Sequence, residues 1–378
     1  MLTKTETIAF TADWQLRRTQ YGFAWRGRDF LNAALEVIRD AAKQGVKYLF
    51  HGGDMLDLKQ QPSELMDQLL EVENELRKHD MYMPVISGNH ERDKPTWTEV
   101  LGRWLKCYAP DIEPRMQCMD DRTITLPSGL TVYGYPSCSP GELREMIKKR
   151  KEPADILVWH GAVKEFFGFG GDDVIAIQDF LGGQFSNVLL GDIHVQKFLG
   201  LPGGGVIGYP GSTELCSSSE NPEKFYTLLR FQPGQPVQLA HMRIPTRRVI
   251  LASVGNEETL QQVLSRDIAP FKDEPAIIFL NYNPAIQNVY SRIQMVSHPK
   301  SIIRPSPVDV EFDGNIRVEV KESELPPVEH FLPAFISPEL TSLHSLAVSL
   351  ITRKGEDARA EITGYVERRK QELTRTND

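Results

Sequence analysis

Five short apolar runs in the N-terminal part of the chain are each followed directly by side chains that can bind a metal ion. Runs of this length are typical of buried strands. Helical patterns separate the first three runs, and strand–helix–strand units form parallel sheets. Ligands bind beyond the carboxyl ends of such strands, so the sequence predicts that these side chains share one rim. The runs are ETIAFTA before Asp13, VKYLF before Asp54, MYMPVIS before Asn89, DILVW before His160, and FSNVLL before Asp192 and His194.

Further strand patterns complete the predicted core. TITLPSGLTVYGYP is typical of a hairpin that turns at 127–129, and QKFLGLPGGGVIGYPG of one that turns at 203–205. KFYTLLRF and PVQLAHMRI indicate two more strands. The sequence therefore predicts an α/β fold over residues 1–245, built on a mixed sheet or on a pair of stacked sheets.

The pattern changes after residue 245. VILASV and PAIIFLNY indicate strands, each followed by a helical pattern, and VDVEFDGNIRVEV indicates a hairpin that turns at Asp313-Gly314. We predict a small α+β domain over residues 246–323, a proline-punctuated linker over 324–337 and a pair of helices over 338–378. The apolar stripe on that helical pair favours a protein partner over the chain's own core.

Charge and hydropathy exclude some classes of protein. The net charge is −8, so nothing global indicates nucleic-acid binding, although local patches and bound cations decide that question. No run of 18 apolar residues occurs, and MLTKTETIAF has no apolar signal core, so neither a membrane span nor secretion is expected. A cytoplasmic protein is the expectation.

The side chains of the rim suit the hydrolysis of a phosphodiester. That reaction needs positive charge at the phosphoryl oxygens and a hydroxide at neutral pH, and two divalent metals about 3.5–4 Å apart supply both. Asp54 is the candidate bridge between the metals, because a carboxylate offers two oxygens and a negative charge. His90, beside Asn89, is the candidate proton donor to the leaving alkoxide, since the ordinary pKa of histidine, about 6.5, suits that role.

These motifs, in this order, resemble those of the calcineurin-like metallophosphoesterases: D-x-(H), G-D-x-x-D, G-N-H-(E/D), a late H-G and G-(H)-x-H. GDMLDLKQQPSEL also resembles the matching segment of the SbcD-type nucleases, the nuclease subunits of Mre–Rad repair complexes. The resemblance implies a β-sandwich flanked by helices as the nuclease domain, then a capping domain. It also implies a helical tail that binds the coiled coil of an SMC-like ATPase, and a homodimer.

The resemblance also assigns roles residue by residue. One metal would take Asp13, Gln15, Asp54 and His194, and the other Asp54, Asn89, His160 and Asp192, with His90 as the catalytic acid. Gln15 and Asp192 stand where the family has histidine. Both keep an oxygen donor, and oxygen-rich sites favour hard ions, so Mn²⁺ is the expected metal and Mg²⁺ the alternative.

A basic segment with interleaved aromatic residues follows the first strand. Basic and aromatic side chains beside a phosphoesterase site suit contact with a DNA backbone and base stacking. A solvated loop with a few packed aromatic rings explains the same pattern. The candidate DNA-binding residues are Arg17, Arg18, Arg26 and Arg28.

The resulting hypothesis is a two-metal DNA exonuclease or endonuclease that works with an SMC-like ATPase in DNA end processing, repair or recombination. One alternative is a scaffold of the same fold that binds DNA or an ATPase partner, with metal binding weakened at positions 15 and 192. The other is a phosphodiesterase or phosphatase that acts on cyclic nucleotides or phosphoproteins.

Overall fold

The computed structural model describes residues 2–57, 62–91, 96–108, 113–166, 174–182, 184–218 and 220–306. The strands in these ranges are β1 (Glu6–Thr11), β2 (Leu49–His51), β3 (Met83–Val85), β4 (Met116–Cys118), β5 (Arg122–Thr125), β6 (Thr131–Tyr135), β7 (Ala154–His160), β8 (Phe185–Gly191), β9 (Lys197–Gly200), β10 (Val206–Tyr209), β11 (Lys224–Phe231), β12 (Gln238–Ile244), β13 (Arg248–Val254), β14 (Ala276–Tyr282) and β15 (Ile302–Pro305). The α-helices are α1 (Arg26–Lys43), α2 (Pro62–Lys78), α3 (Trp97–Tyr108), α4 (Pro140–Lys149), α5 (Ile177–Phe180), α6 (Glu257–Gln262) and α7 (Val289–Val296).

Two six-stranded mixed sheets form the larger part of the described chain. The first has the order β12-β11-β1-β2-β3-β4 and the second β5-β6-β7-β8-β10-β9. Within the first, β1 to β4 run parallel, and within the second, β6, β7, β8 and β10 do. The carboxyl ends of the parallel strands therefore meet at one edge, which we call the rim.

Alternation along the strands explains why the two sheets stack. Ile8 and Phe10 of β1 are buried with Val158 of β7 and Leu189 of β8, between the sheets. Ala9 points the other way and packs with the apolar face of α1. Leu143 of α4 and Trp159 of β7 belong to a separate cluster on the outer side of the second sheet. The fold is thus a β-sandwich flanked by helices, which confirms the predicted fold class for this part of the chain.

A third, smaller sheet follows. Strands β13, β14 and β15 are parallel, and α6 and α7 pack on one face of this sheet. The other face carries Ile277 and Phe279, which pack against Leu215 and Tyr21 of the larger part. Asn256 caps α6 by accepting a hydrogen bond from the Thr259 backbone.

Some sequence expectations fall outside the description. The hairpin around Asp313-Gly314, the linker over 324–337 and the helical pair over 338–378 lie beyond the described residues. Among the described helices, none combines the length and the apolar character that crossing a bilayer requires.

Candidate metal centre

Both sheets contribute to the rim, and main-chain contacts join their contributions. The Asp13 amide donates to the Gly53 carbonyl at 3.0 Å, which ties the loop after β1 to the loop after β2. The Asp192 amide donates to Oδ2 of Asp13 at 3.1 Å, which ties in the end of β8. His160, the last residue of β7, contacts the Gly52 carbonyl through Nδ1 at 2.8 Å. The rim is therefore one connected structure.

Four of the predicted ligand positions have a left-handed backbone. The φ angles of Asp13, Gln15, Asp54 and Asp192 are 53°, 47°, 52° and 101°. Non-glycine residues seldom adopt positive φ, and such strain concentrates at functional sites. The turns place the side chains immediately after each strand over the rim.

Asp54 lies at the centre of these contacts. Its Oδ1 accepts a hydrogen bond from the His90 amide at 3.2 Å and lies 3.5 Å from Nε2 of His160. Its Oδ2 lies 3.7 Å from Nε2 of His90. A Cβ atom on Gly88 would lie 2.1 Å from Oδ1, so this glycine makes room for the carboxylate. Asn89 is exposed and lies between Gly88 and His90, the two residues that contact Asp54.

Two buried polar atoms in the rim have no hydrogen-bond partner among the described residues: Oδ1 of Asp13 and Nε2 of His160. Because the Gly52 carbonyl can only accept, Nδ1 of His160 carries a proton, and in the neutral ring Nε2 offers a lone pair to a cation. Asp13, Asp54 and His160 offer ligand atoms that all lie within 4.8 Å of one another. Buried polar atoms are normally satisfied, so this group fits a divalent cation.

Burial and mutual charge shift the pKa values at the rim. Burial raises the pKa of Asp13 to about 6, although His160 and His194 oppose the shift. Burial also raises the pKa of Asp192. For His160 burial lowers the pKa, but Asp13, Asp54 and Asp192 together raise it above its ordinary value. Carboxylates crowded in this way gain from a bound cation, which offsets both their burial and their repulsion.

His194 joins the rim from the loop after β8. Its Nε2 lies 4.0 Å from Oδ1 of Asp13, while its Nδ1 lies 2.8 Å from Oε1 of Glu220. Burial lowers the pKa of His194, but contacts with Cys216 and Glu220 outweigh burial and raise it to about 11.

Gln15 faces the rim with a different atom from the one the sequence analysis assigns. Its amide nitrogen points at Oδ2 of Asp54, while its oxygen lies 3.5 Å from NH1 of Arg18. The oxygen ligand expected at this position is therefore turned away from Asp54. The amide orientation follows from this pair of contacts.

The structure corrects the candidate DNA-binding set at Arg26. This side chain is 0% exposed and forms ion pairs with Asp29 at 2.6 Å and Glu214 at 3.2 Å, so it cannot reach a DNA backbone. Asp29 also pairs with Arg247, which precedes β13. Arg247 lies over the ring of Trp25. The basic and aromatic segment thus joins the sandwich to the third sheet.

The other candidate arginines differ from Arg26. Arg28 is exposed, and its NH1 atom donates to both carboxylate oxygens of Glu71 at 2.7 Å. Arg18 is half-buried beside Gln15, with NH2 3.4 Å from the Cys216 carbonyl. Arg17 is half-buried with a left-handed backbone. Of the four, Arg18 has a described contact with a predicted ligand position.

Two carboxylates at the rim, those of Glu91 and Glu220, are not among the site residues predicted from the sequence. Glu91 is buried and accepts hydrogen bonds from the Leu56 amide at 2.9 Å and the Gly88 amide at 3.1 Å, which holds two ligand loops together. Burial, and then the charge of Asp54, raises the pKa of Glu91 to about 8. The position of Glu91 directly after Asn89-His90 is a sequence signal that could have identified it as a site residue. Glu220, the second, lies in CSSSENPEK, a segment without any periodic pattern.

The comparisons with known proteins identify the family of the chain. The family model for calcineurin-like phosphoesterases matches residues 6–292. The "DNA double-strand break repair protein Mre11" of Methanosarcina acetivorans is 24% identical over 392 aligned positions, which cover 98% of this chain and 61% of that protein. The proteins of the same name from Methanosarcina mazei and Haloferax volcanii are 26% and 28% identical over 75% and 72% of this chain, and 46% and 60% of their own lengths.

This chain thus spans about half to three fifths of these relatives. The family model extends over the whole sandwich and into the third sheet. The resemblance stated from the motifs is confirmed at the level of the family. The chain belongs to the calcineurin-like phosphoesterases.

Proposed function

We propose that the chain is a DNA nuclease that hydrolyses phosphodiester bonds with two divalent metal ions. The observation that carries the proposal is the buried group of Asp13, Asp54 and His160 at the rim, with its two unpartnered ligand atoms. DNA as the substrate is supported by the relatives that are named for the repair of DNA double-strand breaks.

Asp54 would be the carboxylate shared by the two ions. Asp13 and His194 would complete one site, and Asn89, His160 and Asp192 the other. When bound, the ions supply a nucleophile at neutral pH and positive charge at the phosphoryl oxygens. Gln15 contacts the first site through its amide nitrogen, which donates a hydrogen bond to the Asp54 carboxylate.

His90 is the proposed general acid. Its side chain is 37% exposed, so a substrate can reach it, while its main chain is fixed by the hydrogen bond to Asp54. An imidazolium there can protonate the leaving sugar oxygen.

Mn²⁺ is the proposed metal, with Mg²⁺ as the alternative. The ligands assigned above comprise two imidazoles, and the rest are oxygens, which suit hard divalent ions. Three carboxylates against two divalent ions leave a net positive charge that attracts a phosphodiester.

The proposed partner is an SMC-like coiled-coil ATPase, and the proposed assembly is a homodimer in the cytoplasm, associated with the nucleoid. The support is the motif resemblance and the order of segments, with residues 246–323 as a capping domain and 338–378 as the ATPase-binding helices.

Deletion from residue 335 onward should leave the protein able to cleave simple substrates and should abolish its binding to the ATPase. A deleted protein that still co-purifies with the ATPase at full stoichiometry would place the partner surface elsewhere.

The direct experiment compares substrates with Mn²⁺ and with chelator. The full chain should degrade linear single- and double-stranded DNA with Mn²⁺, and Asp54→Ala should not. Faster hydrolysis of a cyclic nucleotide or phosphopeptide would indicate another phosphoesterase. DNA binding without hydrolysis, at any Mn²⁺ concentration, would indicate a scaffold.

A further inference from the structure

A buried polar group lies behind His194, on the side away from Asp13. Lys224, the first residue of β11, is 3% exposed, and Ser212 is fully buried. The carboxylate of Glu220 is 7% exposed. Charged side chains are rarely buried to this extent unless they are paired, so this arrangement needs an explanation.

Both oxygens of Glu220 are engaged. Oε1 lies 2.8 Å from Nδ1 of His194. Oε2 accepts from Nζ of Lys224 at 2.5 Å and from the Cys216 amide at 3.1 Å. Lys224 also donates to Oγ of Ser212 at 2.9 Å, so the ammonium is fixed in turn. The carboxylate can hardly rotate without breaking several of these contacts.

The composition of the group first raises the question of a second cation. His194, Cys216 and Glu220 have ligand atoms close enough to share one. Lys224 argues against it, because its ammonium already neutralises Glu220 and would repel a metal ion at the same carboxylate. The negative charge of Glu220 is therefore available to His194 and Lys224 rather than to a metal.

The orientation of His194 follows from this contact. A carboxylate bonded to Lys224 is ionised and can only accept, so Nδ1 of His194 carries the proton. In the neutral ring that binds a metal the lone pair is then on Nε2, which faces Oδ1 of Asp13 at 4.0 Å. The ring is 25% exposed and lies at the edge of the site, where it also contacts Cys216.

We infer that Glu220, held by Lys224, is a positioning residue that fixes the tautomer and orientation of His194, so that Nε2 is presented to the metal beside Asp13. The inference rests on the proposed function, since it assumes that His194 binds a metal. Loss of a carboxylate that orients a ligating histidine typically lowers metal affinity about 10–100-fold. The effect is confined to the site that contains His194, because Glu220 has its described contacts with that ligand only.

The test measures metal affinity directly on the full chain. Protein stripped with chelator is titrated with Mn²⁺, and free Mn²⁺ is followed by electron paramagnetic resonance. His194→Ala identifies the class of site to which His194 belongs. Glu220→Gln should lower the Mn²⁺ affinity of that same class of site about 10–100-fold and leave the affinity of the other class unchanged. Glu223→Gln is the matched control, because Glu223 is three residues away in an exposed pair with Arg243 and should change neither class.

Glu220→Gln leaves Lys224 buried without a counter-charge, so a double variant, Glu220→Gln with Lys224→Met, removes the pair together. It should show the same selective loss. Unchanged Mn²⁺ affinity in either folded variant, equal weakening of both classes, or no effect of His194→Ala would overturn the inference. Normal Mn²⁺ binding without DNA cleavage by the unmodified chain would instead contradict the proposed function and leave this inference standing.

Discussion

The amide nitrogen of Gln15 donates a hydrogen bond to Oδ2 of Asp54 at 3.1 Å. The position that the family motif gives to a histidine ligand is thus used here to hold the carboxylate that bridges the proposed metals. A donor at this place competes with a cation for one lone pair of Asp54. The proposed first site would thus lack one ligand and would also contain a donor that competes with the cation.

Gln15→His should therefore tighten the first site. A histidine tolerates the left-handed backbone at this position, where φ is 47°, and would offer an imidazole nitrogen. We expect the Mn²⁺ concentration that gives half-maximal activity to fall about tenfold, because changes next to a metal site typically alter metal affinity by at least this factor. Activity measured across a Mn²⁺ titration checks this, with Gln15→Asn as the control. Unchanged metal dependence would remove position 15 from the metal environment.

Asp54→Ala should abolish both metal binding and hydrolysis. The carboxylate contacts His90 and faces His160 and Gln15, so its loss removes the shared ligand of both ions. Metal content by elemental analysis and hydrolysis of a phosphodiester should fall together. Retention of two bound ions would show that another residue bridges them.

His90→Ala should leave the metals bound and slow the reaction, by about 10²–10⁴-fold for the loss of a general acid. The imidazole is exposed, and its Nε2 is 3.7 Å from Asp54, beyond hydrogen-bond distance. A substrate with a good leaving group, which needs little protonation, should be affected much less. Metal loss comparable to that of Asp54→Ala would mean that His90 is a ligand instead.

Arg26→Met should destabilise the protein by about 3–5 kcal/mol, because it leaves Asp29 and Glu214 buried with less compensating charge. Arg28→Ala, which breaks an exposed pair, should cost no more than about 1 kcal/mol. Urea denaturation of both variants gives the comparison. Equal costs, or a selective loss of DNA affinity in a fully stable Arg26 variant, would restore the DNA-contact hypothesis for this residue.

Glu75→Gln should make the stability less dependent on pH. Burial raises the pKa of Glu75, but hydrogen bonds from Arg39, Lys78 and His79 outweigh burial and lower the pKa to about 2. A lowered pKa stabilises the folded state above the unfolded-state value of about 4.5, and this stability is lost as the pH falls towards 2.

We expect Glu75→Gln to cost about 1 kcal/mol at pH 7, because solvent screens its half-exposed partners, and the difference should vanish near pH 2. Denaturation across this pH range measures it. Glu145→Gln, in an exposed pair with Lys149, is the control and should differ little from the unmodified chain at any pH. A cost that persists at pH 2 would mean that packing, and not charge, explains the effect.

The strand ends could be predicted because they depend on local pattern and on sheet geometry. Asp13, Asp54 and His160 follow clear apolar runs, and parallel strands bring such ends together. Strands β4 and β15 lack the longer apolar runs, VKYLF and MYMPVIS, that mark the similarly short strands β2 and β3. The burial of Arg26 depends on Glu214, which lies 188 residues away in sequence. A basic segment with aromatic neighbours has the same sequence pattern in a DNA interface and in an interface between domains, so the pattern alone does not distinguish them.

The left-handed turns at the rim limit how this active site can evolve. Positive φ favours glycine, aspartate, asparagine and histidine, and it disfavours β-branched residues most strongly. Position 192, with φ of 101°, and position 15, with φ of 47°, can therefore exchange among residues that tolerate positive φ, such as asparagine, aspartate and histidine, without any change in the path of the backbone. Metal preference can drift by single substitutions in such a frame, whereas a β-branched residue at either position would strain the turn.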